Sequence, residues 1–437
     1  MNNKYRRSIE HLAKTSSPET IIGAIQAIED LFSASWLEQQ NGHRLQILWA
    51  RRDNVSTSEL YSLGKSILKL STHNQQWLET TAREIKRNIN NCHGLLTEII
   101  IIGSLSTEGG VVNPCKKSNP LYDYTVDFET GYQYKVSIKN FDTSIHEKEF
   151  NRQSGIIRET FKNFLKRKNE SGKLIVILEQ DLLTKNLVEE ICCYIVFILD
   201  EPGSYSLSRG RITIIFSLLN EFNSRKLLPL SDTVMVLSKQ HYNEQRNIKY
   251  KIKQANDDLL KDPDDEKSFK KLIIRLGASI NINLMNEYMQ ELASDWEYCG
   301  FDHYMLLQPT LALDVNENTT QILTTVNQGA KSFYPEQSNP ISKLKNFKLL
   351  KFEFGVGGVS CNKVPMMLVN NNISTGIDLS AFYTYEKGDM YVEAERAGNQ
   401  YLLEMSMVAP GVLLHSVVKN IVYSPICFPE DDKLLII

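Results

Sequence analysis

The sequence has few of the patterns that mark a zinc protein or a secreted protein. Its seven cysteines are scattered and odd in number, and they include no CxxC pair or His-rich cluster of the kind that binds zinc. They predict reduced, mostly buried thiols. The polar and basic residues 1–8 are followed by no hydrophobic signal segment, which predicts a cytoplasmic protein.

Long apolar runs are also missing. The strongest, residues 191–199, is about half the length that a membrane-crossing helix needs. Its β-branched and aromatic residues instead predict a buried strand. We therefore expect no membrane span.

Neither a strong net charge nor a common catalytic signature marks the chain. The formal net charge is −3, so nucleic-acid binding would need a local concentration of Lys and Arg. No HExxH, GxSxG or kinase-like set occurs, which argues against metalloprotease, α/β-hydrolase and kinase functions. The 437 residues, 42% of them hydrophobic, have a globular composition and a length typical of about three domains.

The hydrophobic spacing divides the chain into four regions. Residues 1–92 repeat apolar side chains every three or four positions, which predicts a helical region with a helix start at Ser17-Pro18-Glu19. Residues 93–253 begin with a helix at 95–105 and then carry continuous apolar runs, which predict strands covered on both faces and hence an α/β domain with a mixed sheet. These runs are 174–178, 191–199, 212–216 and 234–237.

The second half of the sequence predicts a linker and a separate module. Residues 254–300 read as an acidic linker with a solvated stretch at 262–266, followed by a helical stretch at 269–296. Residues 301–437 predict a β-rich C-terminal module, with alternation at 350–354 and a hairpin at 382–396.

Residues 121–139 carry the most informative pattern, because two alternating segments flank a turn at Gly131 and predict an antiparallel hairpin. If 129–131 form the loop, Asp123 lies across from Ser137 and one short step from Lys139. A carboxylate and an amine would then converge on one face of the sheet. A nuclease can use this pair, since the carboxylate holds Mg²⁺ and the ammonium stabilises negative charge.

This pattern resembles the PD-(D/E)xK restriction-endonuclease-like superfamily, in which an acid begins one strand and an acid-x-Lys follows on the next. The match is Asp123 with Ser137-Ile138-Lys139. The resemblance implies that Glu98, on the preceding helix, is an auxiliary ligand for Mg²⁺ or Mn²⁺ beside Asp123. It also implies that a helix and a buried strand, here 145–168 and 174–178, follow the hairpin.

One position departs from the family pattern. Ser137 stands where the family has an acid, which removes a metal ligand, and some type II restriction enzymes resemble this variant by recruiting a carboxylate from the following helix. Glu147 and Glu149 are the candidates for that role. Asp127 is the rival of Asp123 for the first acid, because a shifted turn would change the pairing.

Basic residues concentrate next to this site. Residues 131–173 contain ten Lys and Arg against five Asp and Glu. We expect DNA phosphates to contact this region. The candidate side chains for nucleic-acid binding are Lys135, His146, Lys148, Arg152, Lys162 and Lys166.

The sequence thus predicts a Mg²⁺-dependent DNA endonuclease of restriction or defence type with a restriction-endonuclease-like central domain, for which a homodimer is a possible assembly. A simpler interpretation is that Asp123 and Lys139 form only a cross-strand ion pair on an exposed sheet face. The alternative function is accordingly a non-catalytic binding or assembly protein that retains a degenerate nuclease fold.

Overall fold

The structure is a computed structural model. It describes residues 9, 12, 16–39, 41–51, 54–89, 92–106, 110–115, 121–218, 232–263, 265–277, 280–295, 297–314 and 319–331, together with short strands between 351 and 423 and Ile437. No helix within these ranges is both long and apolar enough to cross a membrane.

The N-terminal part of the chain is helical, as the apolar spacing predicts. Ser17 caps the first helix through its side chain, and Pro18 occupies the first turn, so the predicted helix start is confirmed. The helices are α1 (Pro18–Phe32), α2 (Ala34–Leu37), α3 (Arg44–Ala50), α4 (Asn54–Arg87), α5 (Cys92–Ser104), α6 (Ile145–Lys168), α7 (Lys185–Phe197), α8 (Asn243–Leu260) and α9 (Ile282–Ser294).

The strands are distributed over the rest of the chain. They are β1 (Leu105–Ser106), β2 (Gly110–Pro114), β3 (Tyr124–Phe128), β4 (Gln133–Asn140), β5 (Gly172–Leu178), β6 (Gly203–Leu207), β7 (Ile212–Leu218), β8 (Thr233–Lys239), β9 (Ser268–Arg275), β10 (His303–Asp314), β11 (Thr319–Ala330), β12 (Lys351–Phe352), β13 (Ser360–Cys361), β14 (Met367–Asn370), β15 (Ile373–Asp378), β16 (Phe382–Lys387), β17 (Glu395–Ala397), β18 (Gln400–Leu402), β19 (Ser416–Val418) and β20 (Ile421–Tyr423).

The first sheet contains the predicted hairpin. Its seven strands have the order β13-β11-β10-β9-β4-β3-β2. Strands β2, β3 and β4 are antiparallel neighbours, whereas β4 pairs in parallel with β9 and β9 in parallel with β10. The sheet is therefore mixed, which agrees with the predicted α/β class.

Helices cover both faces of the first sheet. On one face, apolar side chains of β3, β4 and β9 pack with those of α1 to α5, for example Val136 with Ile99 and Ile100 in one continuous core. On the other face, Leu272 and Ile274 of β9 belong to a core with α8 and α9. Burial on both faces explains why β9 is buried along its whole length.

The second sheet is formed by five strands in the order β16-β8-β5-β7-β6. Helices α6 and α7 supply the apolar side chains of its core, including Phe161 and Ile191. Two segments that join the sheets are 141–144, between β4 and α6, and 240–242, between β8 and α8. Strands β5 to β8 of the second sheet are thus inserted between β4 and β9 of the first, whereas β16 comes from later in the chain.

The structure corrects the predicted strand at 191–199, because these residues lie mainly in helix α7. Val188, Ile191 and Ile195 are its buried positions, and they are spaced three and four residues apart. Phe197 and Ile198, by contrast, are largely exposed. The apolar run was therefore one side of a helix and the start of a loop.

The predicted helix at 145–168 and buried strand at 174–178 are confirmed as α6 and β5, although both belong to the second sheet and do not extend the first. The stretch 269–296 holds β9 as well as α9, so it is not wholly helical. Residues 382–387 of the predicted hairpin at 382–396 form β16, which pairs with β8 of the second sheet, and residues 388–394, which hold its turn and most of its second strand, lie outside the described residues.

The two sheets also cross the predicted domain boundaries. β10 and β11, from the region expected to form a separate module, complete the first sheet, and β16 completes the second. Helix α8 spans the expected boundary at 253. Both sheets are assembled from segments far apart in sequence.

Close packing of α1 against α4 makes one glycine indispensable. A methyl group at Gly64 would overlap the backbone carbonyl of Ala24, whereas a methyl group at Gly23 meets no atom within 4 Å. We expect Gly64→Ala to lower the free energy of unfolding by about 3 kcal/mol, since the helices would have to move apart. Gly23→Ala, the matched control, should raise it by roughly 0.5 kcal/mol through its better helix propensity. Urea denaturation of both variants measures the difference, and equal stabilities would contradict this packing.

Candidate active site on the first sheet

The β3–β4 hairpin has the predicted register. Tyr124 pairs with Val136, and Val126 pairs with Tyr134. The same register places Asp123 opposite Ser137. The loop closes with hydrogen bonds between Phe128 and Tyr132 and from the Gly131 amide to the Phe128 carbonyl. Gly131 has a φ of 78°, a left-handed conformation that glycine adopts without strain. The turn thereby fixes which side chains share a face.

Asp123 is held at the start of β3 by its neighbours across the hairpin. Its Oδ2 accepts a hydrogen bond of 2.5 Å from the Ile138 amide and one of 3.4 Å from the Ser137 hydroxyl. Its backbone amide also donates to the Val136 carbonyl. Among the described residues, Oδ1 accepts no hydrogen bond. The carboxylate is thus oriented through one oxygen, and no described donor binds the other.

Lys139 lies on the same face of β4 as Ser137 and acts on Asp123 electrostatically. Burial raises the pKa of Asp123, and the positive charge of Lys139 opposes that increase. No ion pair joins Lys139 to a carboxylate in the described part of the chain. Lys139 is therefore near enough to influence Asp123, but its ammonium group is not neutralised by direct contact. The simple cross-strand ion pair is not formed.

Further carboxylates lie around the thiol of Cys115, which follows β2. The Cys115 amide donates to the Asp123 carbonyl, so this thiol lies beside the start of β3. Its pKa is raised by burial first, and then by the negative charges of Asp123, Asp127 and Glu98. Glu98, the predicted auxiliary ligand on α5, thus acts electrostatically on the same thiol as Asp123, but it is not among the groups that shift the pKa of Asp123.

Asp127, the rival first acid, is committed to other side chains. Its Oδ1 accepts a hydrogen bond of 2.5 Å from Gln133 and its Oδ2 accepts one of 2.7 Å from Asn113. Both oxygens therefore have side-chain donors within the β2–β3–β4 ribbon. Asp123, whose Oδ1 has no hydrogen-bond donor in the part of the chain that the structure describes, is the better candidate for a metal ligand.

The donor set fits a weakly ligated Mg²⁺ better than a fully enclosed metal. Mg²⁺ retains several waters and needs only one or two protein carboxylates, and Asp123 supplies one. Among the described residues, no three His, Cys, Asp or Glu side chains cluster closely enough to hold a metal ion. Ser137 is 2% exposed and contributes a hydroxyl where a third acid would stand.

Lys135, predicted to contact nucleic acid, forms an ion pair with another residue of the chain. Its ammonium lies 2.7 Å from Asp262, which also accepts a hydrogen bond from the Tyr122 hydroxyl. The Asp262 backbone carbonyl accepts from Lys270. This network joins the loop after α8 to the start of β4. Sequence reasoning assigned Asp262 to a solvated linker and missed this contact, because its partner is 127 residues away.

The predicted residues of α6 lie beside the second sheet. Glu149 accepts hydrogen bonds from Arg152 and Gln153 on its own helix, and the Arg152 bond lowers the pKa of Glu149 to about 2. Lys162 pairs with Glu159 at 3.5 Å. Glu147 lies in the first turn, where its amide is capped by Ser144. Lys148 and Lys166 are exposed.

His146 takes part in an aromatic stack. Its ring lies parallel to that of His241, with centroids 3.7 Å apart and an interplanar angle of 6°. Tyr242 stacks in turn on His241, at 4.5 Å. The stack forms where the two connecting segments between the sheets come together.

A buried polar cluster at the carboxyl end of β4 was not predicted. Asp142 lies 2.6 Å from Arg44 and 3.2 Å from the Nδ1 atom of His93, although this imidazole has no well-aligned hydrogen bond. Burial lowers the pKa of His93 to about 4, and the positive charges of Arg275 and Arg44 contribute to this decrease. The cluster ties α3 and α5 to the end of the strand that carries Lys139.

His93 should make the stability of the fold depend on pH. In the unfolded chain its pKa is near 6.5, so between pH 6.5 and about 4 the unfolded chain binds a proton that the folded chain excludes. Stability present above pH 6.5 is therefore lost as the pH falls through this window. Because His93 is only 3% exposed, its contribution is about 3 kcal/mol.

The test compares urea unfolding at pH 7 and pH 4.5 for the parent chain and His93→Gln. The variant should lose less stability across this window, because no buried imidazole remains to be protonated. His73→Gln is the control, since His73 is exposed on α4. An unchanged pH dependence in His93→Gln would contradict the prediction.

Comparisons of the chain with protein-family models, with curated proteins and with solved structures find no match.

Proposed function

We propose that this chain is a Mg²⁺-dependent DNA nuclease whose active site lies at the start of β3 and the end of β4. The observation that carries the proposal is the arrangement of Asp123 and Lys139. They share one face of the hairpin, Asp123 has one oxygen open among the described residues, and Lys139 has no described ion-pair partner. A carboxylate for a cation and an ammonium for a phosphate are the minimal requirements of phosphodiester hydrolysis.

The order of elements in the first sheet supports the proposal. Helix α5, with Glu98, precedes the β3–β4 hairpin, and the next helix and strand that pack in this sheet are α8 and the parallel strand β9. Helix, hairpin, helix and buried strand is the order that the PD-(D/E)xK resemblance implies. In this chain α8 and β9 take the places first assigned to α6 and β5.

Each residue has a distinct part in the proposed site. Asp123 and Glu98 would hold the ion, and the Ile138 amide and Ser137 hydroxyl orient the Asp123 carboxylate. Lys139 stabilises negative charge on the phosphate as the bond breaks. Bound Mg²⁺ would supply a polarised phosphate and a more acidic water. Burial of Asp123 strengthens these electrostatic interactions, because fewer waters screen them.

The second candidate is a non-catalytic binding protein, and one observation favours it. Ser137 replaces an acid, and the described residues form no group of three metal-binding side chains. A protein of this kind would retain the oriented Asp123 and the nearby Lys139 but bind no divalent ion there.

Metal titration and cleavage assays decide between the two. For the wild-type chain we expect saturable Mn²⁺ binding by electron paramagnetic resonance, and cleavage of plasmid DNA in Mg²⁺ or Mn²⁺ that EDTA abolishes. Ca²⁺ should bind without supporting comparable turnover, which separates metal binding from chemistry. Failure to bind Mn²⁺ together with failure to cleave DNA would refute the nuclease proposal in favour of the binding protein.

A further inference from the structure

The exposed side of α8 combines aromatic and basic side chains. Tyr242 is 80% exposed and Tyr250 is 62% exposed, which is unusual for large aromatic residues of a folded chain. Arg246, Lys251 and Lys253 are also exposed on this helix. We call these five residues the α8 face. Residues 241–254 contain four Lys and Arg against one acid, so the face is locally basic in a chain of net charge −3.

The Tyr242 ring forms the outer layer of a preformed stack. His241 covers one side of it at a centroid distance of 4.5 Å, and His146 lies beneath His241 at 3.7 Å. His241 is held in place because its ring Nδ1 accepts from the Asn243 amide and its own amide donates to the Tyr383 hydroxyl. The stack therefore presents a tyrosine ring that rests on a histidine held in place by hydrogen bonds.

The middle of the α8 face lies against the end of β4, the strand that carries Lys139. Phe141 follows Lys139 by two residues, and the Lys251 ammonium lies 5.7 Å from the Phe141 ring centroid. At its other end, α8 leads to Asp262, which pairs with Lys135 at the start of β4. Helix α8 thus runs antiparallel to β4, and its first turn, with Tyr242, extends past the carboxyl end of β4 toward His146 of α6.

We propose that the α8 face binds single-stranded nucleic acid, with an unpaired base stacked on Tyr242 and phosphates contacting Arg246, Lys251 and Lys253. Exposed aromatic rings interleaved with cations suit this ligand, because a base offers a flat surface for stacking and the backbone offers regular negative charge. A duplex hides both faces of each base, so it can use only the cations. The inference rests on the proposed function only for the cleavage that would follow binding.

Binding in EDTA tests the inference without any metal chemistry. Fluorescence anisotropy of labelled single-stranded DNA, single-stranded RNA and duplex DNA of the same sequence would be measured with the full chain. Tyr242→Ala should weaken binding of the preferred single strand about tenfold and leave duplex binding unchanged, because one stacked base is lost. Tyr242→Trp should retain the affinity. Tyr298→Ala is the matched control, since Tyr298 is 65% exposed but lies outside the α8 face.

The cations are tested separately through salt dependence. Lys251→Gln with Lys253→Gln should weaken binding of both single strands and duplex, and should reduce the slope of log affinity against log salt by about two. Equal affinities for Tyr242→Ala and the wild-type chain on both single strands would overturn the proposal, as would an absence of binding to every nucleic acid at low salt. An acidic protein partner would then be the better candidate for this face.

The outcomes separate this inference from the proposed function. Asp123→Asn should bind the single strand as tightly as the wild-type chain in EDTA, since Asp123 lies outside the α8 face. If Tyr242→Ala weakens single-strand binding but the wild-type chain does not cleave DNA, the inference stands and the nuclease proposal fails. If DNA is cleaved but Tyr242→Ala binds normally, the nuclease proposal stands and the inference fails.

Discussion

Asp123→Asn is expected to abolish metal-dependent cleavage, with a loss of about 10³-fold or more, equivalent to about 4 kcal/mol of transition-state stabilisation. The substitution removes the negative charge that would hold Mg²⁺ but keeps an oxygen that can accept from the Ile138 amide. Saturable Mn²⁺ binding should disappear with it. The fold should survive, because burial penalises the charged form of Asp123 and a neutral amide avoids that cost.

Asp127→Asn provides the matched control for this prediction. Both oxygens of Asp127 already accept hydrogen bonds from Asn113 and Gln133. Loss of its negative charge should therefore disturb the packing of β2, β3 and β4 but not the binding of the metal ion. We expect cleavage to remain within a few fold of the wild-type rate. If Asp127→Asn abolishes cleavage and Asp123→Asn does not, the first acid has been assigned to the wrong residue.

The geometry of the candidate site was predictable because it depends on a local hairpin. The alternation in 121–139 assigns the two faces, and the loop at 129–131 sets the register that brings Asp123 opposite Ser137. Both signals lie within nineteen consecutive residues, and no distant segment is needed to interpret them. The N-terminal helices were predictable for the same reason, since caps and apolar spacing are local.

The surroundings of the site could not be predicted in this way. β9 is the neighbour of β4, but in the chain it comes only after four of the five strands of the second sheet, β5 to β8. Its apolar pattern is interrupted by Lys270 and Lys271, which are buried in the structure. Lys270 hides its charge by donating to the Leu259 and Asp262 carbonyls at the end of α8. A charged residue that is buried through distant partners gives no local sign of its burial.

Helix α7 was predicted wrongly because the prediction relied on the residue types of a single run. The run at 191–199 is rich in β-branched and aromatic residues, which favour strands when considered one by one. Two helical signals were nevertheless present. Thr184 caps the helix through its side chain, and Val188, Ile191 and Ile195 follow helical spacing. Considering the flanking residues together with the run would have identified the helix.

Lys139→Ala is expected to reduce cleavage by about 10²-fold while Mn²⁺ affinity stays unchanged or rises. Lys139 has no ion-pair partner among the described residues, so its ammonium is available to stabilise charge on the phosphate. Its removal should therefore lower kcat more than it raises KM. Mn²⁺ affinity should not fall, because the positive charge near Asp123 opposes cation binding.

Two other lysines separate this catalytic role from a general electrostatic one. Lys148→Ala removes an exposed charge from α6 and should change cleavage only through weaker DNA binding at raised salt. Lys135→Ala breaks the contact with Asp262 and should lower the melting temperature without a selective loss in kcat. If all three substitutions reduce cleavage alike and mainly through KM, Lys139 serves only the basic surface. A selective fall in kcat for Lys139→Ala alone supports its placement at the scissile phosphate, since only a group near the reacting atoms acts on the chemical step.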